Sequence, residues 1–415
     1  MSVRTVSEAQ WRRSARVLLV FALILELQTP RVGADDSRLT IALFAVVLYA
    51  LLLLRIRAIL RNVNILFVWP VAALLGYCVW AFLSVLWSAT PSATVTQGAL
   101  LLGVVLLSVS YAEMPPKVLA QEAVKIAVLV SGFSWAMVVV LPGVAAMPDV
   151  TWRLNGLMQH EQRLALVAGM GIILFAALRL SGERVYSTPV FGFLAVLTLI
   201  SALLATQTRA NTVFVVTVLA ILIYSRVHLL VKMFLLTVGA AALIWLASNF
   251  AEVVSVVGRE GSNTATLTGR TSIWLGTSEL VQEQPWLGYG FGSFYSTLTE
   301  GFFVNYIAPH AHNTWLNALF ETGIVGTVLL SLFILGGVTV GVRSGINCFA
   351  WPMMIFAILC GLTGIVYGSK VSTLWVVITV MVVQVAWQNI RSGSGVDRNR
   401  NHYQQTKQYS RLPLG

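Results

Sequence analysis

The chain has 415 residues, of which 57% are hydrophobic and 10% charged, and its formal net charge is +11. A soluble domain carries roughly 25% charged residues, so the soluble class is excluded, and apolar runs long enough to span a bilayer recur from end to end. The cationic excess therefore reads as membrane topology. The ends lack the basic patch with interleaved aromatics that a nucleic-acid partner needs.

Trp11-Arg12-Arg13-Ser14-Ala15-Arg16 precedes the first apolar run. That run ends at Glu26 and Gln28 with no small-residue cleavage pattern, so it reads as an uncleaved span. Apolar runs between polar breaks predict about twelve spans. They lie at roughly 15–29, 39–54, 63–87, 97–112, 118–141, 163–180, 188–206, 211–225, 228–247, 313–341, 351–367 and 371–389. The expected fold is an all-α, polytopic membrane bundle: nine spans over 1–247, a large outer loop over 248–312, three more spans over 313–391, and a polar, basic, disordered tail over 392–415. Arg4, Arg12, Arg13 and Arg16, then Arg55, Arg57, Arg61, Lys117, Arg179, Arg184, Arg226, Lys232 and Arg343, and finally the tail arginines, all fall on one side of this arrangement. The positive-inside rule makes that side cytoplasmic, with both termini on it.

Cations on the other side are then the exceptions, and ionisable groups at a membrane edge are costly and often functional. Arg153 and Arg163 follow the fifth span, Arg209 stands at the outer end of the seventh, Arg259 and Arg270 lie in the long loop, and Lys370 separates the last two spans. Arg153 belongs to Trp152-Arg153-Leu154-Asn155-Gly156, followed by His160-Glu161-Gln162-Arg163, where a headgroup or sugar contact competes with local pairing of Glu161 and Arg163. Arg209 sits in Thr206-Gln207-Thr208-Arg209-Ala210-Asn211 with no acid nearby. It either snorkels to lipid headgroups or binds an anion through its planar fork.

Within the long loop, Thr268–Glu283 reads as a helix with Ile273, Trp274, Leu280 and Val281 on one face. Arg270 opens it, and a helix N-terminus carrying an Arg suits phosphate; a solvated loop Arg is the bland alternative. Arg259 pairs more easily with Glu252 or Glu260. A turn-rich stretch, Pro285-Trp286-Leu287-Gly288-Tyr289-Gly290-Phe291-Gly292, follows.

The loop ends in Pro309-His310-Ala311-His312-Asn313, which holds two of the five His. His312 is expected at the first turn of span ten with Asn313 as its N-cap. The positive helix end and neighbouring arginines keep its imidazole neutral and able to accept a proton. A base beside phosphate-binding cations points to one reaction. An acceptor hydroxyl attacks a lipid-linked diphosphate sugar, His312 takes the proton, and the diphosphate leaves onto Arg209 and Arg270. A structural His pair or a His310–His312 metal chelate are the alternatives. No HExxH or DxD pattern supports a metal, and the outer carboxylates are scattered. Cys78, Cys348 and Cys360 form no CxxC pair.

His312-Asn313, nine residues, Gly323, two residues, Gly326 resembles the signature of the O-antigen ligase family, whose superfamily also holds polysaccharide polymerases. Gly269-Arg270 to Trp274, Pro285 to Gly290 and Trp87-Ser88-Ala89-Thr90-Pro91 are similar to its supporting stretches. The resemblance implies a periplasmic loop, an undecaprenyl-diphosphate glycan donor, no cofactor or metal, and functional roles for His312, Arg209 and Arg270. Arg153 stands where the family often has an Arg-x-x-Gly stretch, and Gln159-His160-Glu161-Gln162 departs from the family's commoner pattern there.

The expectation is thus a glycosyltransferase of the bacterial inner membrane, among membrane lipids, working at the periplasmic face by inversion and without a cofactor. His312, Arg209 and Arg270 are the expected catalytic residues. Arg153, Arg163, His310, Asn313 and Lys370 are the expected substrate contacts. Lipid A–core is the favoured acceptor and a second lipid-linked glycan, for a polymerase, the runner-up. A lipid-linked sugar transporter is the competitor from another class. The lack of internal repeats and of mid-span charges opposes it.

Overall fold

Prolines and polar caps set where the helices begin. In the computed structural model the protein is described over residues 6–27, 37–147, 152–228, 231–233, 237, 248, 270–299, 310–344, 349–368 and 371–393. The helices, in chain order, are α1 (Glu8–Leu27), α2 (Ser37–Leu54), α3 (Ile56–Arg61), α4 (Val71–Leu83), α5 (Pro91–Val109), α6 (Pro116–Val140), α7 (Pro142–Ala145), α8 (Glu161–Leu180), α9 (Pro189–Ala205) and α10 (Arg209–Tyr224). Then come α11 (Arg270–Glu283), α12 (Phe294–Thr299), α13 (Thr314–Arg343), α14 (Ala350–Gly361) and α15 (Thr373–Gly393). Pro91, Pro116 and Pro189 occupy the first turns of α5, α6 and α9, where a missing N–H costs nothing. Among the described residues the one strand pair is antiparallel, β1 (Ala146–Met147) with β2 (Arg153–Leu154).

Among the described residues five helices are long and apolar enough to cross a membrane: 91–109, 116–140, 161–180, 314–343 and 373–391. Five shorter apolar helices accompany them, at 43–54, 71–86, 189–205, 209–224 and 350–361. The chain is a multi-pass helical membrane protein. Two expected boundaries move. The third span is interrupted at Pro70, which separates a 3-10 turn at Val63–Phe67 from α4. The fourth begins at Pro91 rather than 97, because its first turn is polar and escapes an apolar window. Most of the expected ninth span, nearly all of the loop before Arg270 with Arg259, and Lys370 lie outside the described residues.

The bundle has two chemically distinct ends. At one, buried Glu122 of α6 takes Arg16 at 2.6 Å, Lys125 at 2.8 Å and Arg12 at 3.1 Å. Arg61–Glu113 and Lys117–Glu183 pairs lie at the same end. At the other end, Glu26 Oε2 accepts the Thr373 N–H at 2.8 Å, joining α1 to α15, and Arg163 donates to the Glu26 carbonyl at 2.9 Å. Between them the core is apolar, with Tyr77, Phe333, Phe356 and Trp375 fully buried.

Helix α13 is broken at Gly323, whose backbone (φ 63°, ψ −168°) is not helical. The 285–290 loop docks into the break. Tyr289 and Gly290 N–H groups donate to the carbonyls of Phe320 (2.9 Å) and Glu321 (3.0 Å). Ile324 N–H donates to the Pro285 carbonyl at 2.8 Å, and Trp80 Nε1 to that of Thr322 at 2.9 Å. A broken helix survives in a membrane only when its polar backbone is satisfied this way.

A Cβ at Gly323 would lie 2.2 Å from the Trp286 carbonyl oxygen, in a backbone region open only to glycine. Gly323→Ala should therefore cost at least about 1–3 kcal/mol and lower the melting temperature of the detergent-purified protein. Gly143→Ala, which meets nothing within 4 Å, should leave it unchanged. Equal melting temperatures for the two variants would show that the docked break is dispensable.

Candidate active site

Three helix N-termini, those of α8, α10 and α13, begin at the end of the bundle that holds Glu26 and Arg163, and each is entered through a strained residue. Among the described residues only Gln159, Gln207 and His312 are non-glycines with positive φ, at 56°, 50° and 50°. Each lies two positions ahead of its helix start, next to the cap residues His160, Thr208 and Asn313. Left-handed backbone at non-glycine positions costs free energy and clusters at functional sites. The converging N-termini also favour an anion.

Asn313 caps α13. Its Oδ1 accepts from the N–H groups of Trp315 (3.0 Å) and Leu316 (3.1 Å), and its Nδ2 donates to the Leu362 carbonyl at 3.4 Å. Its polar atoms thereby fasten the helix start to the end of α14. His312 thus stands before the cap rather than in the first turn where the sequence suggests it, because the cap itself must take extended backbone (φ −151°).

His312 packs edge-on against His310, ring centroids 4.3 Å apart, and its N–H donates to His310 Nδ1 at 3.2 Å. Ala311 between them is gripped from both sides. Trp274 Nε1 donates to its carbonyl at 2.8 Å, and its N–H donates to Asn317 Oδ1 at 3.2 Å. Trp274 lies one turn after Arg270, so this contact holds the start of α11 over the histidines. His312 Nδ1 is buried and has no hydrogen-bond partner. Its pKa falls from 6.5 to about 4, first through burial, then through the Arg270 charge and that of His160. The sequence reading named the arginines and the helix end as causes; burial outweighs them.

His160 caps α8, its Nδ1 accepting from the Gln162 N–H at 3.2 Å. Glu161 lies 3.5 Å from the Arg153 guanidinium and 3.6 Å from His160. Arg163, the partner the sequence offered to Glu161, instead turns to the Glu26 carbonyl. Arg209 opens α10 and is exposed. The preceding Gln207 donates to the Trp152 carbonyl at 2.8 Å, tying the Arg209 turn to the Arg153 strand. Among the described residues Arg209 makes no ion pair and no side-chain hydrogen bond. So Arg270 and His160 sit within electrostatic reach of His312, while Arg153 and Arg209 attach through the His160–Glu161 and Gln207–Trp152 contacts. Among the described residues no three metal-ligating side chains converge.

Glu321 escaped the sequence reading, which expected no charge inside the spans. It is a carboxylate in the interior of a span, 2% exposed, two turns below Asn313 on the face that carries Asn317. Its charge reaches Tyr77 of α4. An acid within an otherwise apolar run is the signal that could have marked it.

Residues 193–331 match a family model described as O-antigen ligase. That stretch contains Arg209, Arg270, His310, His312, Asn313 and Glu321, and leaves out Arg153, Arg163 and Lys370. The chain is also similar to the exopolysaccharide production protein ExoQ of Rhizobium meliloti (strain 1021). The two are 24% identical over 337 residues, covering 75% of this chain and 74% of the relative.

The imidazole can be titrated directly. Histidine-labelled NMR should place the His312 midpoint near 4. Arg270→Gln should raise it by removing a like charge, without restoring 6.5 while burial persists. A wild-type midpoint near 6.5 would mean that the ring is hydrated and Arg270 remote.

Proposed function

From the match of residues 193–331 to the O-antigen ligase family model, we propose that the protein transfers a glycan from a lipid-linked diphosphate, undecaprenyl diphosphate, to an acceptor hydroxyl at the periplasmic face of the bacterial inner membrane. The observation that carries this reading is the buried, neutral His312 held beside Arg270 at a site built from helix N-termini. The hydroxyl oxygen attacks the anomeric carbon, the bond to the diphosphate oxygen breaks, and the hydroxyl proton passes to His312. A neutral imidazole is the form that can take that proton. Arg270 and Arg209 carry the charge that develops on the departing diphosphate, and such stabilisation contributes several kcal/mol of barrier lowering in enzymes. One displacement inverts the sugar carbon. Arg153 and His310 are assigned to contacts with the donor's sugars or phosphates. Asn313 and Arg163 act by holding α13 and α1.

The acceptor separates two readings. Ligation to lipid A–core follows the description of the family. Extension of a lipid-linked chain, as by a polymerase, is favoured by the relative that spans three quarters of this chain and is named for exopolysaccharide production. We take chain extension as the better-supported acceptor chemistry.

His312→Ala should lower transfer by about 10²–10⁴-fold, the usual range for a general base, with the melting temperature unchanged. Arg270→Lys should also be poorly tolerated, because a point charge loses the bidentate fork. Substantial activity in His312→Ala would remove the base. Purified protein with labelled donor should yield longer lipid-linked glycan when given only a second donor molecule. Product formed solely with lipid A–core would restore the ligase reading, and donor movement without a new glycosidic bond would make the protein a transporter.

A further inference from the structure

The proposed transfer leaves unused a cleft at the opposite, cation-rich end of the bundle. It opens where the C-terminal end of α8 meets the N-terminal end of α9 and encloses about 350 Å³. Phe175, Phe193 and Val196 form its apolar wall, and Arg179, Arg184 and Tyr186 its polar one. Several cations of this end are occupied. Arg12, Arg16 and Lys125 are held by Glu122, Lys117 by Glu183, Arg61 by Glu113, and Arg226 donates to the Leu180 carbonyl at 3.3 Å. Among the described residues the guanidinium groups of Arg179 and Arg184 make no ion pair or hydrogen bond.

The backbone around the two arginines is fixed. The Arg184 carbonyl accepts from buried Gln121 at 2.8 Å. Helix α9 starts with Pro189, and its N-cap Thr188 makes no side-chain capping bond, so the first turn still has donors to offer. The outer surface of α9 beside the cleft is apolar, with Val190, Phe191, Phe193, Leu194 and Leu197 exposed, as a lipid-facing helix requires. A cation at the last turn of α8 complements the helix dipole, which accounts for Arg179 alone. It does not account for a second arginine across a cleft with an apolar wall.

We propose that this cleft binds the headgroup and upper acyl chain of an anionic phospholipid. Paired guanidiniums match a phosphate through their planar forks, and the apolar wall continues into the lipid-facing surface. The arginine-rich end is the one the positive-inside rule assigns to the anionic leaflet. The site is separate from the His312 chemistry and stands whether or not the transfer reading does.

The test uses the full-length protein in neutral detergent. It is titrated with phosphatidylglycerol, with phosphatidylcholine of the same chains and with inorganic phosphate, reading retained lipid by native mass spectrometry and the melting temperature. Phosphatidylglycerol should be retained and should raise the melting temperature; phosphatidylcholine should do neither. Each cation near an anionic headgroup contributes roughly fivefold in affinity, so Arg179→Gln with Arg184→Gln should weaken phosphatidylglycerol binding by about 25-fold. Gly192→Leu keeps both arginines and narrows the cleft, since a Cβ there already lies 3.6 Å from Phe175. It should weaken binding of the lipid too. Equal retention of phosphatidylcholine, stabilisation by inorganic phosphate equal to that by phosphatidylglycerol, or unchanged binding in the double arginine variant or in Gly192→Leu would each overturn the proposal.

Discussion

The break in α13 at Gly323 is the constraint on which the rest of the site depends. A transmembrane helix that stops bonding to itself exposes backbone carbonyls that hydrocarbon cannot satisfy. Here Tyr289, Gly290 and Trp80 satisfy those of Phe320, Glu321 and Thr322. The donors come from the segment after α11 and from α4. One backbone requirement thus fastens an extramembrane segment to the membrane bundle. The Tyr289 ring stacks on Phe320 at 4.8 Å and Phe294 meets the same ring at 4.9 Å, closing the junction with apolar area.

From that junction the order passes upward. Helix α11 lies on α13 with Ile273 and Leu280 buried together with Phe320 and Ala311. The Trp274–Ala311 hydrogen bond then sets the height of Arg270 relative to the histidines. Asn313 and Thr314 secure the other side, Thr314 Oγ1 donating to the Gly364 carbonyl at 2.9 Å. The imidazole is therefore held by backbone contacts on either side of it, so its own nitrogen need not serve structure. Preorganisation of this kind is what lets a charge-stabilising site act without rearranging.

The two ends of the bundle treat charge differently. At the end with Glu122 and Glu183, carboxylates hold Arg12, Arg16, Arg61, Lys117 and Lys125, and Arg179 and Arg184 line a cleft with an apolar wall. At the other end, helix N-termini gather with Arg153, Arg209 and Arg270. Among the described acids there, Glu161 is shared by Arg153 and His160, and Glu26 is spent on the Thr373 backbone. Helix N-termini with strained entrances are a poor arrangement for stability and offer backbone donors to an anion.

The chain by itself determined the membrane class and the positions of most of the described helices, because spanning length, apolar composition and a scarcity of charge are one-dimensional properties. It also placed Asn313 as a cap and Arg270 at the start of a helix, since caps depend on neighbours a few residues away. Only the tertiary structure decided that Arg163 serves Glu26, 137 residues distant, and that Glu161 serves Arg153. It alone decided that burial rather than the arginines chiefly neutralises His312, and that Glu321 is enclosed beside Tyr77. These depend on which helices touch. In a bundle whose spans are all apolar, composition does not say which faces meet, and it is the packing of small residues and satisfied backbone breaks that selects one arrangement.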